Sequence, residues 1–171
     1  MTIKLVKYDE VQADNYMDYI LEWEATGELI VPYASSRRGM TFGVLQKDWQ
    51  LGETDEAYDR GFVPSTLYFL VAEANRIIGA IHFRHELNDR LRADGGHIGY
   101  GIRPGERKKG YATMMVELLL KKLGDDYDQV MISCGDKNTA SAKTIEHNGG
   151  VLEDIVERGG GFTRRYWIKL N

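Results

Sequence analysis

The stretch Arg103 to Thr113, RPGERKKGYAT, sets four basic residues, two glycines and a proline in eleven positions, directly ahead of the run MMVELLLKKL. A turn of this kind at a helix start is suited to hold an anion. The first N–H groups of a helix have no partner within it, and the macrodipole adds positive potential there. Gly110 has no Cβ, so a ligand can approach the backbone closely. Arg107, Lys108 and Lys109 add charge at a helix end where an exposed cation costs about 0.3–1 kcal/mol. A bound anion would remove that mismatch, and the chemistry that fits is the grip of a pyrophosphate.

Two phosphate motifs fail here. Gly105-x4-Gly110 has P-loop glycine spacing, but Tyr111-Ala112 stands where that loop needs Lys followed by Ser or Thr. Gly99-x-Gly101 is followed by Pro104 rather than a third glycine, and it lies inside a strand pattern, so the dinucleotide fingerprint fails too. What remains is R-x-x-G-x-A, Arg107 to Ala112, between a strand and a helix. His82-x-x-His85-Glu86 has a metal-like look. On a strand, positions three apart point to opposite faces, so the pair does not chelate, and no metal is expected. Cys134 ends a buried strand and has no adjacent base to make it a nucleophile.

The elements that must position these residues follow from periodicity. Ile3 and Leu5 mark a short first strand, and Glu10 to Thr26 has helical spacing stopped by Gly27. Glu28 to Pro64 is irregular, with helices expected at Val44–Gln50 and Asp55–Tyr58. It reads as a helical cap or a ligand-facing insertion. Leu67–Glu73 and Ile77–Glu86 form a hairpin, a polar loop spans Leu87–Asp94, and His97–Arg103 is a third strand. Gly110–Leu123 is an amphipathic helix and Gln129–Cys134 a buried strand. Thr139–Asn148 is a short helix capped by Asn138 and ended by Gly149-Gly150. Val151–Glu157 and Arg164–Leu170 are the last strands. The order gives an α/β fold: a mixed sheet with helices on both faces.

The whole chain bounds the function. Its 171 residues suit a single domain, 1–171. A formal charge of −4 disfavours a general polyanion binder, so no nucleic-acid partner is expected. One cysteine excludes an internal disulfide and fits a reducing compartment. No apolar run approaches the ~20 residues of a membrane span, and the N-terminus turns polar too early for a signal peptide. A cytoplasmic protein is expected, and a homodimer is left open.

Two segments together carry a family resemblance. IRPGERKKGYA resembles the acetyl-coenzyme A motif of the GCN5-related N-acetyltransferases (GNAT), R/Q-x-x-G-x-G/A after a strand. CGDKNTASAKTIEHNGG resembles the family's next motif, where an Asn and a small residue open a helix beside the pantetheine. The resemblance spans about Leu67 to Leu170. It implies a mostly antiparallel sheet in which the strand ending at Ile102 and Arg103 splays from the strand Gln129–Cys134, with acetyl-CoA in the V between them. Amides near Ile102 and Arg103 would bond the pantetheine and thioester. Arg107 and the amides of Lys108, Lys109, Gly110, Tyr111 and Ala112 would hold the pyrophosphate, and Asn138 and Ser141 would face the pantetheine arm.

The implied activity is acetyl transfer from acetyl-CoA to an amine of a small molecule or peptide. A non-catalytic CoA-binding sensor is the alternative. Many family members place a Tyr seven residues after the Asn, where it protonates the departing thiolate; here that position is Ile145. Tyr111 and Tyr166 are the substitutes considered, and Tyr166 is taken as the catalytic one. His97, at the start of the cofactor-side strand, is the base expected, since an unperturbed histidine titrates near 6.5. Glu73 and Glu86 at the hairpin ends are the runners-up. Trp23, Tyr33, Trp49 and Trp167 either line an acceptor site or belong to the core.

Overall fold

The computed structural model describes residues 2–170. Chain order runs β1 (Lys4–Lys7), α1 (Ala13–Thr26), α2 (Phe42–Gly52), α3 (Glu56–Asp59), β2 (Ser65–Val71), β3 (Ile77–Arg84) and α4 (Asp89–Ala93), and continues through β4 (Ile98–Ile102), α5 (Tyr111–Leu123), β5 (Gln129–Gly135), α6 (Thr139–His147), β6 (Val151–Arg158) and β7 (Gly161–Lys169). The strands form two sheets, ordered β1-β2-β3-β4 and β5-β7-β6. Every strand pairing in them is antiparallel. The expected mostly antiparallel α/β architecture forms, in two halves rather than one continuous sheet. The reason is local: β4 and β5, the neighbours that would join the halves, do not pair along their length.

Helices cover both faces of the first sheet, which is why its strands read as nearly continuous apolar runs. On β2, Leu67, Phe69 and Val71 face α1 and α2, while Leu70 joins the core under α5. Alternation on the pleated strand makes two cores from one segment. The α1–α2 core is aromatic: Tyr16 lies 5.6 Å from Trp49 and 6.3 Å from Phe69 between ring centroids. Trp23 and Trp49 are core residues.

Several boundaries shift for identifiable reasons. The first helix begins at Ala13, after a 3-10 turn at Tyr8–Glu10, and ends as expected at Gly27, whose φ of 71° is left-handed. The strand expected to reach Glu73 stops at Val71, because a 3-10 turn at Glu73–Asn75 closes the hairpin. The expected polar loop contains α4, nucleated by Asn88, whose Oδ1 accepts the Leu91 N–H at 2.9 Å. The last strand starts three residues early, at Gly161, pairing with Arg158 across the glycine turn.

Candidate active site: a splayed strand pair and a helix N-terminus

β4 and β5 touch at one end and part at the other. The bridge between Gly96 and Ile132 is the only strand bridge linking the sheets among the described residues. Beside it the His97 N–H donates to the Met131 carbonyl at 2.8 Å. Parity along β4 then fixes which groups stay free. The His97 carbonyl accepts from Arg84, and the Arg103 N–H donates to Ile78, so from Gly99 onward odd residues turn their backbone groups to β3. The N–H groups of Ile98, Tyr100 and Ile102 therefore face β5, and among the described residues they have no acceptor. The other side of β4 is closely covered. A Cβ on Gly101 would lie 2.0 Å from the Val31 carbonyl oxygen. The irregular segment after α1 thus lies against β4, and only glycine permits that approach.

The helix N-terminus follows directly. After a 3-10 turn at Pro104–Glu106, Lys108 takes φ 65° and Gly110 takes φ 82°. Six successive N–H groups, Lys108 through Thr113, make no hydrogen bond among the described residues, and the first helical bond is Met114 N–H to the Gly110 carbonyl at 3.2 Å. Left-handed residues within such a run turn consecutive amides inward and form an anion-binding concavity. The charges are already partly matched. Arg107 donates to both carboxylate oxygens of Glu28, at 3.2 and 2.9 Å, and stacks 4.9 Å from the Trp23 ring centroid. Lys109 bonds Glu106 at 2.9 Å. The mismatch read from sequence is thus relieved by two carboxylates, the exposed Glu28 and the half-buried Glu106, which an anion would have to displace.

α6 closes the mouth of the V. Asn138 caps it, its Oδ1 accepting the Ser141 N–H at 3.1 Å. Ser141 Oγ lies 2.6 Å from the Tyr100 hydroxyl, across from α6 to β4. Burial pushes the Cys134 thiol, on the neighbouring β5, above its ordinary value. Burial likewise pushes Tyr100 up to about 12, so its hydroxyl stays protonated. Sequence reasoning missed Tyr100. Its signal was GYG, an aromatic between two glycines on the strand that the anion-binding turn follows.

Three sequence expectations sit differently in space. His97 is buried, and its Nδ1 accepts the Met131 N–H at 2.9 Å. Its ring packs against Phe83, Tyr127 and Trp167. Burial and then Arg84 and Arg92 push its pKa down to about 4. It bolts the base of the V and has no free Nδ1 lone pair for a substrate proton. Arg103 is buried beneath α1. It bonds Glu22 and Asp18, each at 2.7 Å, and the Ile77 carbonyl at 3.1 Å. Its amide is also taken by Ile78, so neither part faces the cleft. Tyr166 is buried in β7, two register positions from Cys134's partner Arg164, and its hydroxyl donates to Glu146 at 2.9 Å. Ile145, in the position where a tyrosine was sought, is fully buried in the core beneath α6. Of the runners-up, Glu86 accepts from the Tyr58 hydroxyl, and Glu73 lies in the hairpin turn.

The remaining cofactor candidates come together. Ile102 lies at the free edge of β4, and Arg107 to Ala112 lie just beyond it. Asn138 and Ser141 lie across the V. The two histidines of the metal-like pattern go to different neighbours: His82 Nε2 to Ser65 Oγ and His85 Nε2 to Thr66 Oγ1, both at 2.8 Å.

Residues 10–151 match the profile of the acetyltransferase (GNAT) domain family. No curated protein sequence matches at a significant level. Among solved structures, the chain is similar to an acetyltransferase from Salmonella typhimurium described as modifying the N-terminal serine of ribosomal protein L7/L12. The identity is 17%, with 100% of this chain and 96% of the other covered at a TM-score of 0.66. A chimera of the Vibrio cholerae spermidine N-acetyltransferase is 15% identical, covering 99% and 96% at 0.65. A ribosomal L7/L12 α-N-protein acetyltransferase in complex with coenzyme A is 17% identical, covering 98% and 92% at 0.63. At these identities the likeness is one of fold.

Proposed function

The chain belongs to the GNAT acetyltransferase family, and we propose that it transfers an acetyl group from acetyl-CoA to a primary amine of a small molecule or peptide. The observation that carries the reading is the run of six free amides from Lys108 to Thr113, set just beyond the unpaired edge of β4. These residues fit the cofactor. A diphosphate needs convergent donors, and the concavity supplies them together with Arg107, which would exchange Glu28 for the phosphate. The pantetheine arm carries amide groups, and the free backbone of Ile98, Tyr100 and Ile102 offers the ladder they require. A solved structure of similar fold is described as a complex with coenzyme A, which supports coenzyme A as the carrier.

Each residue then has a bounded task. Backbone donors on β4 orient the thioester and stabilise negative charge as it develops on the carbonyl oxygen. Tyr100, held protonated beside Ser141, donates a hydrogen bond to the departing sulfur. It offers a hydroxyl from β4 in place of the one absent at Ile145, and this favours a catalyst over a CoA-binding sensor. The attacking amine must be neutral, and with His97 committed elsewhere its deprotonation is left to solvent.

A calorimetric titration with acetyl-CoA, paired with a mass-spectrometric acetylation screen against amines and peptides, tests the proposal. Binding with turnover is expected. Binding without acetylation of any amine would restore the sensor reading, and absence of binding at millimolar acetyl-CoA would end both.

A further inference from the structure

On the face of the first sheet away from α5 lies a cavity of about 440 Å³. That volume suits a small molecule. Its walls come from the segment after α1, from α2 and α3, and from β2, β3 and α4, with Leu67, Trp49 and Leu91 among the apolar part. Its charge runs against that of the chain. A protein of formal charge −4 lines this cavity with five arginines and two aspartates.

The aspartates are already spent. Asp48 pairs with both Arg38 and Arg60, and Asp94 pairs with Arg158 at 3.4 Å. Arg84 and Arg90 have no carboxylate partner among the described residues; Arg90 lies over the Phe62 ring. Arg84 is the more constrained. Its Nη1 donates to the carbonyls of Gly95 and Gly96, at 3.1 and 3.2 Å, which locks the guanidinium. Its Nε and Nη2 have no partner among the described residues. Nη2 lies 3.6 Å from where a Cβ on Gly99 would stand, so the free fork lies alongside β4 at Gly99. A fixed guanidinium with two open donors in a largely apolar cavity has the geometry that captures a carboxylate. Burial and the neighbouring Arg90 already work against its charge, a cost that an anion would offset. A polyamine would meet like charge here.

We infer that this cavity takes the acceptor, and that the acceptor is a small amino acid-like molecule whose carboxylate, or an equivalent single anion, is held by Arg84. The inference rests on the acetyl-transfer reading and narrows it to one substrate class. The carboxylate on Arg84 would bring the amine of the same molecule toward the β4 edge, and the apolar wall would receive the side chain.

The test is a matched panel: the twenty L-amino acids, their C-terminal amides, spermidine, and acidic peptides with free N-termini. Each is measured for direct binding without acetyl-CoA and for acetylation with it, using wild type, Arg84→Gln and Arg84→Lys, with folding checked by circular dichroism. At least one free amino acid should bind ten-fold or more tightly than its amide. Arg84→Gln should abolish that preference without weakening the amide, and Arg84→Lys should restore part of it. Amides or spermidine binding as well as the acids would overturn the inference, as would a preference that survives Arg84→Gln, binding confined to acidic peptides, or no binding by any member. The two readings fail separately. Acetylation confined to the amides or spermidine, which carry no carboxylate, would remove the anion site and leave acetyl transfer standing. Carboxylate binding with no acetylation of any amine would do the reverse.

Discussion

The Tyr100 hydroxyl on β4 and the Ser141 hydroxyl on α6 lie 2.6 Å apart across the mouth of the strand V, forty-one positions apart in sequence. In the proposed reaction that contact would set a protonated donor beside the leaving sulfur. Tyr100→Phe should lower kcat by roughly 10–100-fold, since a preorganised donor is worth that order and water replaces it in part. KM for acetyl-CoA should stay within about threefold. Tyr166→Phe is the comparison. It removes a bond to Glu146 and should reduce stability by about 1 kcal/mol with kcat nearly unchanged. The reverse pattern would reinstate Tyr166 as the reacting hydroxyl.

Arg107 is poised between Glu28 and the free amides of α5. Arg107→Ala should weaken acetyl-CoA binding about ten-fold or more, because a charge-assisted bond is worth ~1.5–3 kcal/mol. Glu28→Gln should strengthen it about two- to five-fold by freeing the guanidinium. Titration calorimetry reads both. A Glu28 variant that binds more weakly would mean the ion pair shapes the site rather than competes for it.

Arg103 was expected at the cofactor, but it clamps α1 to the sheet through Glu22, Asp18 and the Ile77 carbonyl. Arg103→Met should lower unfolding stability by about 2–3 kcal/mol, below the full range for a buried pair because both carboxylates are partly exposed. The folded fraction should retain wild-type affinity for acetyl-CoA. Lost affinity without lost stability would return Arg103 to the cofactor site.

Two buried histidines predict an acid limb in stability. Burial lowers His97 to about 4 and His82 to about 3, against 6.5 in the unfolded chain. As pH falls below 6.5 the unfolded chain takes up protons that the native state refuses, so stability present above that value is lost toward pH 4 and below. The slope is about 1.4 kcal/mol per pH unit for each histidine, roughly 2.7 for both. Urea midpoints between pH 6 and 4 measure it, and His82→Gln should remove about half. Acetyl transfer should show no inflection from His97 near pH 6.5; kcat/KM should instead rise with the neutral fraction of the amine. An inflection near 6.5 that vanishes in a His97 variant would restore it as the base.

The anion-binding turn was legible because everything it needs is local. Free amides at a helix start, a left-handed glycine and nearby cations all follow from a dozen consecutive residues. The alternating order of strands and helices was legible for the same reason, since periodicity of 2 or 3.6 is written in neighbouring positions. The parting of β4 from β5 is different in kind. It was named from a family resemblance, and the amides it leaves free, fixed by parity along β4, become visible only once register is known.

Partner choice across long separations lay beyond the sequence. Arg103 meets Glu22 eighty-one positions away, His97 meets the Met131 amide thirty-four away, and Tyr100 finds Ser141. An arginine, histidine or tyrosine carries the same chemical potential wherever it stands. Burial and the nearest polar atom decide whether that potential is spent on holding the fold or left open to a ligand. The chain alone determined that cations and a left-handed glycine would gather at free amides where β4 gives way to α5. Packing decided that Arg103 and His97 would be consumed as bolts, while Arg84 kept donors free, because in a close-packed interior each polar group is satisfied by whatever the fold brings within about 3 Å.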